Sequence, residues 1–315
     1  MPLDPNIAGF LQFIESEGVP AIADSTVDEA RAAIRQLLVE LRDPSTLAQV
    51  GSIEDATVGD GIPVRVYRPE GDGPFPTIVY FHGGGFVIGD RDTHDGVCRQ
   101  ECRDIGAVVV SVDYRLAPEH RFPAAVRDCY AALNWVAEHI DEYGGDAARL
   151  VVGGDSAGGN LAAVCAQKAH ADGLALAAQL LVYPAVDMLG DYPSRAENAE
   201  GYFLTVADMN WFGGHYLGID ESDPAAAELA VDPELSPLHA ESLDGLAPAV
   251  VATAEFDPLR DEGNLYAQQL EKAGVKVEHR QFAGLIHGFY GMELLSPAIA
   301  DASDWINARV KELLA

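Results

Sequence analysis

Short, continuously apolar runs alternate with longer stretches of helical periodicity along most of this chain, and that alternation constrains its fold more than any other feature. The apolar runs fall at residues 77–81, 107–112, 150–152, 179–183 and 249–254, and a run of alternating character precedes them at 64–67. A further strand is predicted at 275–282, which is more polar. The helical stretches fall at 123–139, 156–170, 259–273 and 299–314. A strand that is apolar at every position is buried on both faces, as in a parallel sheet. The sequence therefore predicts an α/β fold whose mostly parallel central sheet is flanked by helices.

Two segments do not follow this alternation. Residues 27–42 show helical spacing after a shorter helical stretch at 10–15, which predicts a helical segment ahead of the sheet. After the fourth apolar run, a polar stretch leads into residues 204–217, which are rich in aromatic side chains and lack strand alternation. Such a stripe is typical of core packing, yet an insertion above the carboxyl ends of parallel strands lies where substrates bind. We interpret residues 185–235 as a helical cap.

The charge balance argues against two classes of partner. Fifty acidic and twenty basic side chains give the 315-residue chain a formal charge of −30, which repels phosphate backbones and anionic lipid headgroups. We therefore expect no nucleic acid partner and no stable membrane association. Only four of the basic residues are lysines, a composition that fits either a salt-adapted surface or a codon-biased genome.

Cysteine usage and the N-terminal sequence bear on the cellular compartment. The four cysteines are too few for a disulfide scaffold, so we predict buried free thiols. The first twenty residues lack both a basic region and a continuous apolar region of the kind found in secretory signals. No run approaches the roughly twenty apolar residues that a membrane-spanning helix needs. We expect a cytoplasmic protein.

The most specific local motif is GGDSAGG at residues 153–159, between a predicted strand and a predicted helix. It places a G-x-S-x-G pattern on a tight turn that requires small residues at Gly154 and Gly158 while the Ser156 hydroxyl projects outward. A serine at this point could also be a simple helix N-cap. The position after a strand favours Ser156 as a nucleophile.

A second glycine-rich loop, HGGGF at residues 82–86, follows the apolar run that ends at Phe81. Three consecutive glycines leave backbone N–H groups unshielded, and fixed donors of this kind stabilise the oxyanion that forms during acyl transfer. A phosphate-binding loop is the rival interpretation, but the loop contains no cation and matches neither G-x-x-x-x-G-K-[ST] nor G-x-G-x-x-G. We predict an oxyanion hole, with the N–H of Ala157 as a further donor.

Six motifs together are similar to those of one enzyme family. They are HGGGF at 82–86, YRLAPEH followed by FPAA within 114–125, GDSAGGN at 154–160, SPL at 236–238, DPLRDEG at 257–263 and HGF at 287–289. From residue 67 to residue 290 the chain resembles the hormone-sensitive-lipase-like branch of the α/β-hydrolases, the bacterial family IV carboxylesterases. The resemblance implies an α/β-hydrolase core at 46–184 and 236–315, with a cap formed by helices in 1–45 and by the insertion 185–235. It also raises a homodimer as a hypothesis.

The nucleophile needs a base, and in this fold the chain order is serine, acid, histidine. Of the nine histidines, His279 and His287 lie nearest the C-terminal end. His279 falls inside a predicted strand, whereas His287 follows that strand in a loop that can reach the top of the sheet. We predict that His287 is the base.

Asp257 is the predicted acid because it follows the run 249–256 directly and so lies on the same edge of the sheet as Ser156. Glu255, two residues earlier, is the main alternative on geometry. Asp261 and Glu262 fall at the start of the next helix, where acidic residues are expected for capping and dipole reasons alone.

The family resemblance implies two-step acyl transfer on a small-molecule ester, without a metal or an organic cofactor. It assigns the oxyanion donors to Gly84, Gly85 and Ala157, with Gly83 left open, and gives His82 a role in orienting the loop. The charged residues of 114–125 are expected to hold the following helix and loop by salt bridges. Mainly by resemblance, and because the chain and its cap are acidic, we expect short to medium acyl chains.

Two other functions use the same fold. An amidase or peptidase would employ the same three side chains and stays open at this point. A receptor that only binds a small acid is disfavoured because Ser156, Asp257 and His287 are all present.

Overall fold

Eight strands form one mixed sheet in the computed structural model, which describes residues 2–219 and 224–315. The strands are β1 (Ser52–Val58), β2 (Ile62–Arg68), β3 (Phe75–Phe81), β4 (Val108–Val112), β5 (Gly145–Asp155), β6 (Ala178–Val182), β7 (Ala249–Phe256) and β8 (Val277–Ile286). Their order is β1-β2-β4-β3-β5-β6-β7-β8. Strand β2 is antiparallel to both neighbours, and the remaining pairs are parallel. The predicted mostly parallel sheet is confirmed.

Helices cover both faces of this sheet. They are α1 (Pro5–Ser16), α2 (Val27–Arg35), α3 (Asp95–Glu101), α4 (Ala124–His139), α5 (Ala157–Asp172), α6 (Pro193–Glu197), α7 (Val206–Leu217), α8 (Pro224–Leu229), α9 (Arg260–Lys272) and α10 (Pro297–Leu313). Alternate residues of β3 belong to different cores: Val79 is part of a cluster that includes residues of α4, α5 and α9, and Ile78 is part of one that includes residues of α1, α3 and α10. Burial on both faces explains why the central strands are apolar at every position.

The structure adds one strand that the sequence pattern did not reveal. Strand β1 is an edge strand with mostly exposed residues, so it lacks the apolar alternation of a half-buried strand. The helix expected around Cys98 and Cys102 is α3, which is only seven residues long, ends at Glu101 and buries two acidic residues, Asp95 and Glu101. The helical stretch predicted at 27–42 is also shorter, because α2 ends at Arg35 and a π-helical turn, Gln36–Glu40, follows.

Four parallel strands end at the same edge of the sheet, where the motif residues follow them. Strand β3 is followed by His82, β5 by Ser156, β7 by Asp257 and β8 by His287. In an open α/β sheet the crevice beyond the carboxyl ends of the strands is where ligands bind. The strand ends therefore bring the predicted site residues to one place although they span more than two hundred positions of sequence.

The segment predicted as the cap insertion contains α6, α7 and α8. Residues 220–223 of that segment, and residue 1 of the predicted N-terminal cap, lie outside the described residues.

Two predictions from composition can be compared with the structure. All four cysteines are buried and free, as expected. Within residues 2–219 and 224–315, no helix combines the length and the apolar character needed to cross a membrane.

Candidate active site

Ser156 lies on a strained turn between β5 and α5. Its φ of 56° and ψ of −118° place an L-residue in a region that costs conformational energy and is found where surrounding structure enforces it. The turn also needs glycine on both sides, because a Cβ at Gly154 or at Gly158 would collide with the carbonyl oxygen of Phe81. The turn thus directs the Ser156 side chain away from the sheet, as the G-x-S-x-G pattern predicts.

His287 lies between the hydroxyl of Ser156 and the carboxylate of Asp257. Its Nε2 is 2.9 Å from Ser156 Oγ, and its Nδ1 is 2.8 Å from Asp257 Oδ2. A carboxylate only accepts hydrogen bonds, so Nδ1 carries the proton and Nε2 is free to accept from the serine hydroxyl. The ring of Tyr183 packs against the imidazole with centroids 4.6 Å apart and fixes its plane.

Asp257 is fully buried and held from several directions. Its second carboxylate oxygen accepts from the backbone N–H of Leu259 at 2.8 Å. Its carbonyl oxygen accepts from the side-chain amide of Asn198, in the inserted segment, at 3.1 Å. These contacts fix the carboxylate toward His287, so the insertion contributes directly to the geometry of the acid.

The two alternatives left open by the sequence have other partners. Glu255 accepts a hydrogen bond from the backbone N–H of Gly284 at 2.8 Å. His279 contacts the side chain of Asn264 at 3.0 Å. Neither of them contacts Ser156, whereas Asp257 and His287 form a continuous hydrogen-bonded chain to it.

The HGGGF loop presents two unpaired N–H groups beside the serine turn. Gly84 and Gly85 have φ values of 116° and 58°, which favour glycine. Within the described parts of the chain, the N–H groups of Gly84, Gly85 and Ala157 have no hydrogen-bond acceptor. Gly83 differs, because its N–H donates to Asp155 Oδ1 at 3.0 Å. The N–H of Gly83 is therefore already paired with Asp155, and the option of Gly83 as a donor to the oxyanion was wrong.

Asp155 connects the serine turn to this loop, a role that sequence reasoning missed. Besides Gly83, it accepts from the Tyr80 hydroxyl at 2.7 Å, and His94 Nε2 lies 3.5 Å away. Burial alone would raise the pKa of Asp155, but His94 and Tyr80 hold it below its ordinary value. The only indication of this role in the sequence was that an acidic residue, Asp155, precedes Ser156. The partners of Asp155 come from other strands and loops.

His82 anchors the start of the loop. Its ring is fully buried, stacks on Tyr114 at 4.3 Å and donates from Nδ1 to the carbonyl oxygen of Gly83 at 2.7 Å. Burial and the nearby His94 lower the pKa of His82 to about 4, so the ring stays neutral. A neutral, enclosed imidazole fits the orienting role that the family resemblance implies.

A pocket of about 400 Å³ opens in front of Ser156 and His287. Apolar side chains from the two segments predicted as cap line it, namely Ile34, Leu37 and Leu38 from the N-terminal part and Leu204, Met209 and Phe212 from the insertion. Phe212 lies so close to Gly85 that a Cβ there would collide with its ring. The pocket is thus suited to an apolar group next to a reacting carbonyl.

A buried ion pair joins the insertion to α9. The side chain of Glu262 is fully buried, and Arg195 Nη2 donates to it at 2.8 Å. Its other oxygen accepts from the backbone N–H groups of Val186 and Asp187. Burial raises the pKa of Glu262 to about 7 despite these partners. The expectation that helix-start effects alone account for Glu262 was therefore wrong, because the residue holds the insertion in place.

The charged residues of the YRLAPEH motif form the salt bridges predicted for them. Arg115 pairs with Asp128 of α4 at 2.7 Å. Glu119 accepts two hydrogen bonds from Arg31 of α2, and these lower the pKa of Glu119 to about 2. The motif thus ties the N-terminal segment to the core as well as holding the helix that follows it.

Comparison with known proteins gives consistent matches over nearly the whole chain. A family model described as "alpha/beta hydrolase fold" matches residues 78–291. The carboxylic ester hydrolase LipN of Mycobacterium tuberculosis is 43% identical over 314 residues, 97% of this chain and 82% of LipN. The ethyl acetate hydrolase of Pseudomonas putida is 37% identical, with 93% of each chain covered. A hyperthermophilic esterase from the archaeon Pyrobaculum calidifontis superposes with a TM-score of 0.91 at 42% identity, with 100% of both chains covered.

Proposed function

This chain belongs to the α/β-hydrolases and, among them, to the hormone-sensitive-lipase-like carboxylesterases, and we propose that it hydrolyses esters through Ser156, His287 and Asp257. The observation that carries the proposal is the continuous hydrogen-bonded chain from the Ser156 hydroxyl to the buried Asp257 carboxylate. A serine on a strained turn, a base in contact with it and an acid that orients the base are the components of nucleophilic acyl transfer.

In the first step, Ser156 Oγ attacks the ester carbonyl carbon while His287 Nε2 takes its proton. The negative charge on the carbonyl oxygen is stabilised by the unpaired N–H groups of Gly84, Gly85 and Ala157. Asp257 stabilises the imidazolium and does not itself take the proton. When the tetrahedral intermediate collapses, Nε2 returns the proton to the departing alkoxide, which leaves as an alcohol.

In the second step, His287 Nε2 removes a proton from water, and the hydroxide attacks the acyl carbon on Ser156. The same N–H groups stabilise the second oxyanion. Nε2 then protonates Ser156 Oγ as the carboxylic acid leaves, which restores the starting state. Besides the substrate and water, the two steps use only the Ser156 nucleophile, proton transfer by His287 and hydrogen bonds from residues of this chain.

We further propose that residues 1–45 and 185–235 act as a cap that sets the acyl and alcohol preference. Side chains from both segments line the pocket, whose volume of about 400 Å³ suits a small ligand. A related protein of Pseudomonas putida is named an ethyl acetate hydrolase, and this supports short acyl groups as substrates. We infer a preference for short- to medium-chain esters.

The test is a series of p-nitrophenyl esters from acetate to palmitate, with the anilide that matches the best ester. We expect the highest kcat/KM at short to medium chains and a much lower value on the anilide. Ser156→Ala should abolish turnover, and Ser52→Ala, at an exposed position of β1 outside the pocket and the cap, should retain it. Comparable kcat/KM for ester and anilide would contradict the preference for esters and favour an amidase.

A further inference from the structure

A buried carboxyl group lies behind the loop that carries His287. Glu101, the last residue of α3, is fully buried, and its Oε1 is 3.1 Å from the hydroxyl oxygen of Tyr290. That hydroxyl is also 3.0 Å from Oδ1 of Asn307 in α10. Tyr290 is the third residue after His287 and lines the substrate pocket. Neither the mechanism above nor the sequence motifs give Glu101 a role.

Counting protons in this cluster indicates which form of Glu101 is present. Burial and the nearby Glu101 raise the pKa of Tyr290 well above its ordinary value, so its hydroxyl carries one proton. In the orientation that the structure gives the Asn307 amide, Oδ1 faces Tyr290 and Nδ2 is buried without a partner, so one proton serves only one of the two oxygen atoms, from Glu101 and Asn307, that lie within hydrogen-bonding distance. A protonated Glu101 supplies the second proton, because it donates to Tyr290 while Tyr290 donates to Asn307.

The surroundings of Glu101 also favour the neutral form. The titratable groups around it are Cys98 and Cys102 from its own helix and the turn that follows, Tyr80 from β3, Asp155 from β5 and Tyr290. No lysine, arginine or histidine of the described chain forms an ion pair with Glu101, and its Oε2 is buried there without a hydrogen-bond partner. A carboxylate in that position would be desolvated and unpaired. Burial raises the pKa of Glu101 to about 8, although the Tyr290 hydroxyl lowers it.

We propose that Glu101 is a neutral carboxylic acid in the active enzyme and that, by donating to Tyr290, it positions the loop of His287 and one wall of the pocket. Glu101 acts through Tyr290 and touches no reacting atom, so it is a positioning residue. Its effect on catalysis rests on the proposed role of His287. Loss of its proton removes the donor and leaves an unpaired anion under the loop, so the loop should loosen at alkaline pH.

The direction of the pH effect follows from the raised pKa of Glu101. Its contribution to stability is fully present below the ordinary value of 4.5, where the carboxyl group is protonated in the folded and the unfolded chain. It is lost progressively as the pH rises through about 8, because the unfolded chain releases the proton first. A side chain that keeps a donor but does not ionise should escape this loss.

Glu101→Gln introduces such a side chain. Glu271→Gln, on an exposed surface of α9, removes a carboxyl group in the same way and is the control. Thermal unfolding midpoints and kcat/KM for a short ester are measured from about pH 5 to about pH 10. We expect E101Q to melt with the wild type at the acid end and several degrees above it at the alkaline end. Its KM should also stay constant at alkaline pH, where that of the wild type rises. E271Q should follow the wild type throughout, and an E101Q profile parallel to that of E271Q would overturn the proposal.

An infrared spectrum tests the protonation state directly and needs no activity. Glu262, whose pKa is raised to about 7, also contributes to the carbonyl band of protonated carboxylic acids at neutral pH, so the part of the band that belongs to Glu101 is identified by Y290F. Y290F should shift that part of the wild-type band by removing the hydrogen-bond partner of Glu101. A wild-type band that Y290F leaves unchanged means an ionised Glu101 and overturns the proposal, even if E101Q fails to fold. Failure of the esterase assignment would appear separately, as absent ester turnover in the wild type.

Discussion

Replacement of Arg195 by methionine should destabilise the protein through the carboxylate that it leaves behind. Glu262 is fully buried, and Arg195 is its cationic partner at 2.8 Å. Removing one member of a buried ion pair costs about 3–5 kcal/mol because the other charge remains desolvated. The N–H groups of Val186 and Asp187 still bind Glu262, so at alkaline pH, where Glu262 is ionised, we expect a loss near the lower end, about 3 kcal/mol.

The expected shift in melting temperature follows from the size of the chain. With about 2 cal/mol/K of unfolding entropy per residue, 315 residues give a shift of about 5 °C for about 3 kcal/mol. The pKa of Glu262, already raised to about 7 by burial, should rise further without Arg195. The loss should therefore be smaller at acid pH, where Glu262 binds a proton, and should grow as the pH rises.

Calorimetry on three variants tests this reasoning. Arg195→Met/Glu262→Gln should recover much of the loss, since glutamine is uncharged and still accepts from the two N–H groups. Arg149→Met breaks a partly exposed pair with Asp146 and should cost less than about 1 kcal/mol. If R195M melts with the wild type at alkaline pH, or if the double variant is then as unstable as R195M, the buried ion pair does not hold the insertion.

Two further predictions concern the chemical step. Asp257→Asn should lower kcat about 10⁴-fold with little change in fold, because the amide no longer selects the His287 tautomer with a free Nε2. Steady-state kinetics measures the loss, and circular dichroism checks the fold. Retention of more than a tenth of the activity would contradict this role of Asp257. Gly85→Ala should lower kcat about 10²-fold or more, since its φ of 58° and the ring of Phe212 oppose a methyl group and displace an oxyanion donor. Gly9→Ala, which meets no atom within 4 Å, is the matched control, and equal kcat in the two variants would argue against the assigned donors.

The strands and the motif residues could be predicted because each is marked by a local sequence pattern. Burial on both faces makes the central strands continuously apolar, and the turn at Ser156 needs glycines at fixed spacing. The place of Asp257 and His287 followed from the rule that parallel strands end at one edge of the sheet. Local patterns of this kind are sufficient to identify a candidate site.

The contacts that support the site, between residues far apart in the chain, are not marked by any such pattern. Arg195 and Glu262 are 67 positions apart, and Glu101 and Tyr290 are 189 positions apart. Each of these residues looks like an ordinary surface or helix-start residue until the fold brings its partner to it. Edge strand β1 was missed for a related reason, since exposed residues carry no apolar pattern.

Covalent labelling with a p-nitrophenyl alkylphosphonate identifies the nucleophile of this chain. Attack by a serine oxygen on phosphorus forms an oxygen–phosphorus bond and releases p-nitrophenolate, which is counted by absorbance while mass spectrometry locates the adduct. We expect one p-nitrophenolate released per chain, the adduct on Ser156, and no release from Ser156→Ala. Full release from Ser156→Ala, or an adduct on a different residue of the native protein, would contradict the assignment of Ser156 as the nucleophile.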